Sequence, residues 1–265
     1  MDNLVKVIIP IYRTTLKDWE RASLDNTLRL LSAYPTLFLI PEGLDIRPLS
    51  TVYPSVEVMR VSPDWLGTRR GIAGYNEMML SRSFYDLFAD TEYIFICFIC
   101  HLDAWLFRDE LAAWCRKGYD LVAAPWPLRP RYRRFPFRQW LALKDFFSRR
   151  DLPRSRMFGR IGNGGLCLRR VAAFRQACST YADEIAAFNA RQDDLHNEDI
   201  FWALVPREFR YPTVETALQF AYDLKPQVCH ELNGRRLPMG CHGFMHKSRL
   251  PFWKPFIPCI QELGY

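Results

Sequence analysis

The chain has 265 residues, 49% of them hydrophobic, 25% charged and 15% aromatic, with a formal net charge of +7. These fractions exclude a disordered chain, and the length gives room for one large α/β domain or two small ones around a buried core. No run of eighteen apolar residues is present, eight cysteines are too few for a disulfide scaffold, and no basic-then-apolar leader opens the sequence; a cytoplasmic protein with reduced, buried thiols is expected.

Taken in chain order, residues 4–9, apolar apart from Lys6, form a run ended by Pro10, the pattern of a strand buried on both faces. Residues 18–34 carry apolar side chains at helical spacing, and strands follow at 36–40, closed by Pro41-Glu42-Gly43, and at 56–61. A helix is predicted over 74–88, a strongly apolar strand over 93–100, a helix over 109–117 and a strand over 120–124. Beyond residue 160 the alternation resumes with a strand at 164–168 and helices at 171–188 and 197–204, before a Pro- and aromatic-rich tail over 238–265. Strands alternating with helices predict an α/β fold, a doubly wound, mainly parallel sheet with helices on both faces. One domain over 1–265 with an insertion at 128–160 is the economical organisation.

The insertion carries the charge. Between Arg129 and Arg160 eleven basic residues face only Asp145 and Asp151, a local charge of +9, so the rest of the chain sums to −2. Phe135, Phe137, Trp140, Phe146 and Phe147 lie in the same stretch. A basic, aromatic segment suits phosphates, an anionic membrane surface or an acidic acceptor, and equally a solvated insertion whose rings pack on the domain. No helix-turn-helix, RNA-recognition or zinc-finger spacing is present, so no nucleic-acid partner is expected.

The apolar strand ending at Cys100 runs into His101-Leu102-Asp103. Ligands bind at the carboxyl ends of strands in open α/β sheets, and a carboxylate there can hold Mg or Mn against a diphosphate; the same aspartate could instead cap a following helix. Gly162-Asn163-Gly164-Gly165 suits a tight turn or a close backbone approach to a sugar, and the absence of a Gly-Lys-Ser/Thr ending excludes a Walker loop. Glu198-Asp199 opens a predicted helix, where acids complement the dipole or serve as a general base. Cys97-x-x-Cys100 lies inside an apolar strand, where side chains three apart face opposite ways, so core thiols are expected rather than zinc or a redox pair.

Several segments together resemble a bacterial domain family related to GT-A glycosyltransferases. They are Val7-Ile8-Ile9-Pro10-Ile11-Tyr12, Pro41-Glu42-Gly43-Leu44-Asp45, Gly74-Tyr75-Asn76-Glu77, Leu102-Asp103-Ala104, Ala124-Pro125-Trp126, Gly162-Asn163-Gly164-Gly165, Asn197-Glu198-Asp199 and Gly240-Cys241-His242-Gly243. The resemblance implies a GT-A-like sheet and a nucleotide-sugar donor, a UDP-sugar or alternatively a GDP-sugar. Pro10, Tyr12, Arg13, Glu42, Tyr75, Asn76, His101, Leu102 and Lys247 would border the donor; Trp126, Asn163, Gly164 and Gly165 would border the acceptor. Asp103 and His242 would hold Mn2+ or Mg2+, although only the second carboxylate of the family's Asp-x-Asp pattern is retained. Asp199, or else Glu198, would be the base of an inverting transfer.

The implied function is sugar transfer to a glycan or lipid-linked acceptor in cell-surface polysaccharide synthesis, with peripheral contact to an anionic inner membrane through 129–160. Two other functions use the same residues: a non-catalytic GT-A-like module that binds a sugar nucleotide or an anionic partner, and a phosphoesterase built on Asp103, Glu198 and Asp199.

Overall fold

The computed structural model describes residues 3–66, 69–97, 102–147, 154–191 and 195–265. Nine strands are found among them: β1 (Val5–Pro10), β2 (Thr36–Pro41), β3 (Glu57–Val61), β4 (Tyr93–Cys97), β5 (Ala104–Leu106), β6 (Leu121–Pro125), β7 (Ile161–Arg170), β8 (Ala221–Tyr222) and β9 (Gly240–His242). Six form the central sheet in the order β3-β2-β1-β4-β7-β6, and β5-β9-β8 form a second, smaller one. The strands β3, β2, β1 and β4 run parallel, whereas β7 is antiparallel to both its neighbours.

The apolar runs are continuous because both faces of the central sheet are covered. Val7, Ile9, Phe38, Ile40 and Phe95 enter one core with Leu24 and Trp114 from the helices Asp18–Leu30 and Leu111–Arg116. Ile8, Leu37, Leu39, Ile94 and Ile96 enter the opposite core with Met78, Phe84, Phe174 and Phe201. Those four belong to the helices Ile72–Met79, Arg82–Asp86, Val171–Thr180 and Glu198–Leu204. This is the mainly parallel, two-faced α/β architecture that the alternation predicts, and the one the resemblance implies. No helix among the described residues is long and apolar enough to cross a membrane.

Three predicted helices are shorter or divided. The first stops at Leu30, because the chain must turn into the extended residue before Pro35. The helix predicted over 74–88 breaks at Leu80 and Ser81, where the Ser81 hydroxyl accepts from Phe84 N at 3.3 Å and so caps a second helix. The one predicted over 171–188 is interrupted at Tyr181. The second sheet was not predicted, since strands of two or three residues leave no periodicity. Of the strand predicted over 93–100, Tyr93–Cys97 is seen, and Cys100 and His101 lie outside the described residues. The described cysteines are free and buried, and burial pushes the thiols of Cys97 and Cys241 well above their ordinary range, as expected for inert core residues.

Candidate active site

The parallel strands end on a common rim, and β7, running the other way, begins there. Asn163 pairs with Ala124 and Ile161 with Pro125, but Ala123 pairs with Cys167. The register therefore jumps by three residues, a bulge that lifts Gly164 and Gly165 out of the ladder with β6. They form one wall of an open cleft of about 480 Å³. Asn163, Asn197, Glu198, Asp199 and His242 complete the walls, with Ile72, Tyr75 and Asn76 at one side.

Asp199 lies in the first turn of the helix Glu198–Leu204, where its Oδ1 accepts from Ile200 N at 2.8 Å. Burial and the neighbouring Glu198 charge raise its carboxyl pKa to about 7, against the hydrogen bonds from the Ile200 and Gly164 backbone. Glu198 points the other way. Both its oxygens accept from Nη2 of Arg169 at 2.9 Å, and Arg169, itself buried, donates from Nη1 to the Tyr85 hydroxyl at 2.8 Å. Asn76 ties the helix start in place: its Oδ1 accepts from Glu198 N at 3.1 Å and its Nδ2 donates to Asn197 Oδ1 at 3.2 Å. The result is one carboxylate at the cleft wall and one locked into the core.

The second half of the site is built by the small sheet. Ala104 of β5 is paired with His242 of β9, which sets Asp103 beside the imidazole, and Asp103 O accepts from Gly243 N at 2.9 Å. The residue thus leads into a strand rather than capping a helix. His242 Nε2 lies 3.3 Å from Asp103 Oδ1, while its Nδ1 lies 2.8 Å from Asp223 Oδ2, and Asp223 Oδ1 is ion-paired with Arg249 Nη1 at 2.6 Å. Burial lowers the imidazole pKa, but Asp223 and then Asp103 outweigh it, so the net shift is upward. The ring is pressed against Gly165: a Cβ there would sit 2.1 Å from His242 Nδ1. Gly243 sits at φ +68, a backbone conformation that strains any residue with a Cβ, and a side chain there would also displace Arg249 Nη1.

Among the described residues no cluster of three or more His, Cys, Asp or Glu side chains forms a ready metal cage. Asp103 and His242 nevertheless fit a divalent ion of the Mg or Mn kind. Such ions keep bonds of about 2.1 Å, so adjacent ligands lie about 3 Å apart, and they leave their other positions to water and phosphate. The Asp223 carboxylate on the far ring nitrogen is the outer partner that a metal-binding histidine usually has.

The remaining predicted residues are distributed over three environments. Pro10, Tyr12, Arg13 and Leu102 line a second, smaller pocket at the end of β1, with Ile11, Leu16 and Glu20; Arg13 is ion-paired with Glu20 there. Glu42 and Lys247 are exposed and line neither recess. Trp126, expected at the acceptor, is buried in an apolar cluster with Met157, Leu195 and Ile200, and the indole lies against Gly162. It shapes the bulged loop from behind. Arg169, Asp223 and Arg249 were not anticipated, because nothing in their immediate sequence marks them; each is identified by a partner distant in the chain.

None of the curated proteins matches the chain in sequence. Among solved structures, the crystal structure of S. aureus TarS is similar at 11% identity with a TM-score of 0.36, covering 96% of this chain and 46% of that one. S. aureus TarS 1-349 in complex with UDP is similar at 12% identity and a TM-score of 0.34, covering 96% and 75%. The chain thus spans about half the length of the longer TarS chain. A family model described as "Protein of unknown function (DUF5672)" matches residues 55–242, a stretch running from just before β3 to His242 that holds both halves of the cleft, and the chain belongs to that family.

Proposed function

We propose that this protein is a nucleotide-sugar-dependent glycosyltransferase that transfers its sugar with inversion. The observation that carries the reading is Asp199: a carboxyl at the wall of a rim cleft, opposite an Asp–His–Asp chain, with a pKa of about 7. In this reading the donor, a UDP-sugar or else a GDP-sugar, lays its base and ribose in the pocket of Pro10, Tyr12, Arg13 and Leu102. Asp103 and His242 would hold Mn2+ or Mg2+, which when bound neutralises charge on the departing diphosphate. The acceptor hydroxyl lies at the cleft wall of Gly164 and Gly165, where the missing Gly165 side chain lets the His242 ring close up beside it. Asp199 takes its proton as the oxygen bonds to the anomeric carbon, and the bond from that carbon to the diphosphate oxygen breaks. Glu198 and Asn76 position the base and do not touch the proton.

Incubation with UDP- and GDP-sugars and Mn2+ tests the proposal through slow release of nucleoside diphosphate. Donor binding without release, unchanged in Asp103→Ala and in chelator, would instead make the protein a binding module; cleavage of phosphodiesters without any sugar nucleotide would make it a phosphoesterase.

Two further results are expected. Because the base must be ionised, kcat/KM should rise with pH along a single titration centred near 7 and then level off; a flat profile from pH 5 to 8 would remove Asp199 from the role. Asp223→Asn, which removes the outer carboxylate from His242, should weaken Mn2+ binding by about 10–100-fold in calorimetry or electron paramagnetic resonance.

A further inference from the structure

The helix Phe137–Phe146 contains no buried residue. Leu141 and Asp145, four apart, are its least exposed positions and mark the side turned toward the protein. On the other side stand Trp140 at 52% exposure, Leu143 at 56% and Phe147, which follows the helix, at 71%, spaced i, i+3 and i+7 on one stripe. The apolar stripe therefore points away from the core, the reverse of a helix that folds onto its own domain. Tyr132, from the short 3-10 helix Pro130–Arg133, stacks on Trp140 with ring centroids 6.5 Å apart. The same stretch of chain carries Arg129, Arg131, Arg133, Arg134, Arg138 and Lys144 against Asp145, and the Lys144 ammonium lies 5.3 Å from the Trp140 ring centroid. Among the described residues no carboxylate forms an ion pair with Arg133, Arg134, Arg138 or Lys144.

We propose that residues 129–147 are an interfacial anchor for an anionic lipid bilayer, with Trp140, Leu143 and Phe147 in the headgroup layer and the arginines on lipid phosphates. Exposed aromatic side chains beside cations that no described carboxylate neutralises match that surface in both polarity and charge. The segment leaves the sheet at Pro125 and returns at Ile161, one residue before the glycine loop of the cleft wall, and its later part, Arg154–Met157, packs on the helix that carries Asp199. A bilayer on this side would bring a lipid-linked acceptor to Gly164 and Gly165; that consequence rests on the transferase reading, whereas the attachment itself does not.

Flotation of the full chain with vesicles of phosphatidylcholine, with and without phosphatidylglycerol, reads the attachment without any donor and so fails or succeeds apart from catalysis. Binding should require the anionic lipid and fall with salt. Arg133→Gln/Arg134→Gln/Arg138→Gln should weaken it by about a hundredfold. Trp140→Ser/Leu143→Ser/Phe147→Ser should weaken it at least tenfold with an unchanged Tm, since none of the three side chains is buried in the fold. Equal binding to neutral and anionic vesicles, no binding to either, or serine variants that float like the parent would each overturn the proposal. So would serine variants that only dissociate a dimer, which would make the stripe a contact between copies.

Discussion

Asp199→Asn is expected to abolish transfer, lowering kcat by about 10²–10⁴-fold with little change in donor affinity, because the acceptor hydroxyl loses the group that takes its proton. The same substitution should make the protein more stable. The carboxyl binds its proton more tightly in the folded chain, at about 7, than in an unfolded one, where the ordinary value is 3.8. Below pH 4 both states are protonated and Asp199 carries no penalty. Between pH 4 and 7 the unfolded chain ionises the group while the folded one keeps its proton, so the penalty builds up across that window and above 7 stays at about 2–4 kcal/mol once discounted for contact with water. Asparagine has no such charge to expose. Urea denaturation should therefore show the variant ahead of the parent at pH 8 and level with it at pH 4. Equal losses of transfer and donor binding, with no gain in stability at pH 8, would make Asp199 a structural residue. A stabilised, inactive variant is the signature of a group held in an unfavourable state for its chemistry.

The neighbouring carboxylate should respond in the opposite sense. Glu198→Gln leaves Arg169 buried and without its counter-charge, and is expected to destabilise the fold by about 3–5 kcal/mol in urea denaturation at pH 7. Arg169→Met/Glu198→Leu, which removes both charges together, should recover most of that loss, because a buried ion pair gains little over apolar groups of similar size. Activity should fall in Glu198→Gln through the displaced helix start, and the pH profile of the remaining activity should keep a single titration but move to lower pH, because the Glu198 charge that helps raise the Asp199 pKa is gone. A variant as stable as the parent but inactive would instead identify Glu198 as the base. Two adjacent acids that share a helix turn thus separate by what each faces: one the cleft, the other a guanidinium in the core.

Much of the frame was legible in the chain itself. Apolar runs such as Val5–Pro10 and Tyr93–Cys97 announce strands covered on both faces, because only burial of alternate side chains on each side removes the polar alternation. The helix carrying Asp199 begins one residue from where its periodicity predicts, at Glu198. Trp126 was misjudged: an aromatic residue beside a rim loop suits a sugar equally well from either side of the backbone, and only packing against Met157 and Ile200 puts it behind the loop.

What local pattern determined, then, is the succession of strands and helices and the kinds of side chain delivered to the rim, since both follow from periodicities a few residues long. Tertiary structure decided which of those side chains meet. Asp223 reaches His242 across 19 residues and Arg169 reaches Glu198 across 29, through two- and three-residue strands and a bulge that have no period to detect. Their partnership is a property of the folded surface, because the energy that selects it comes from desolvating and pairing charges that are far apart in the chain.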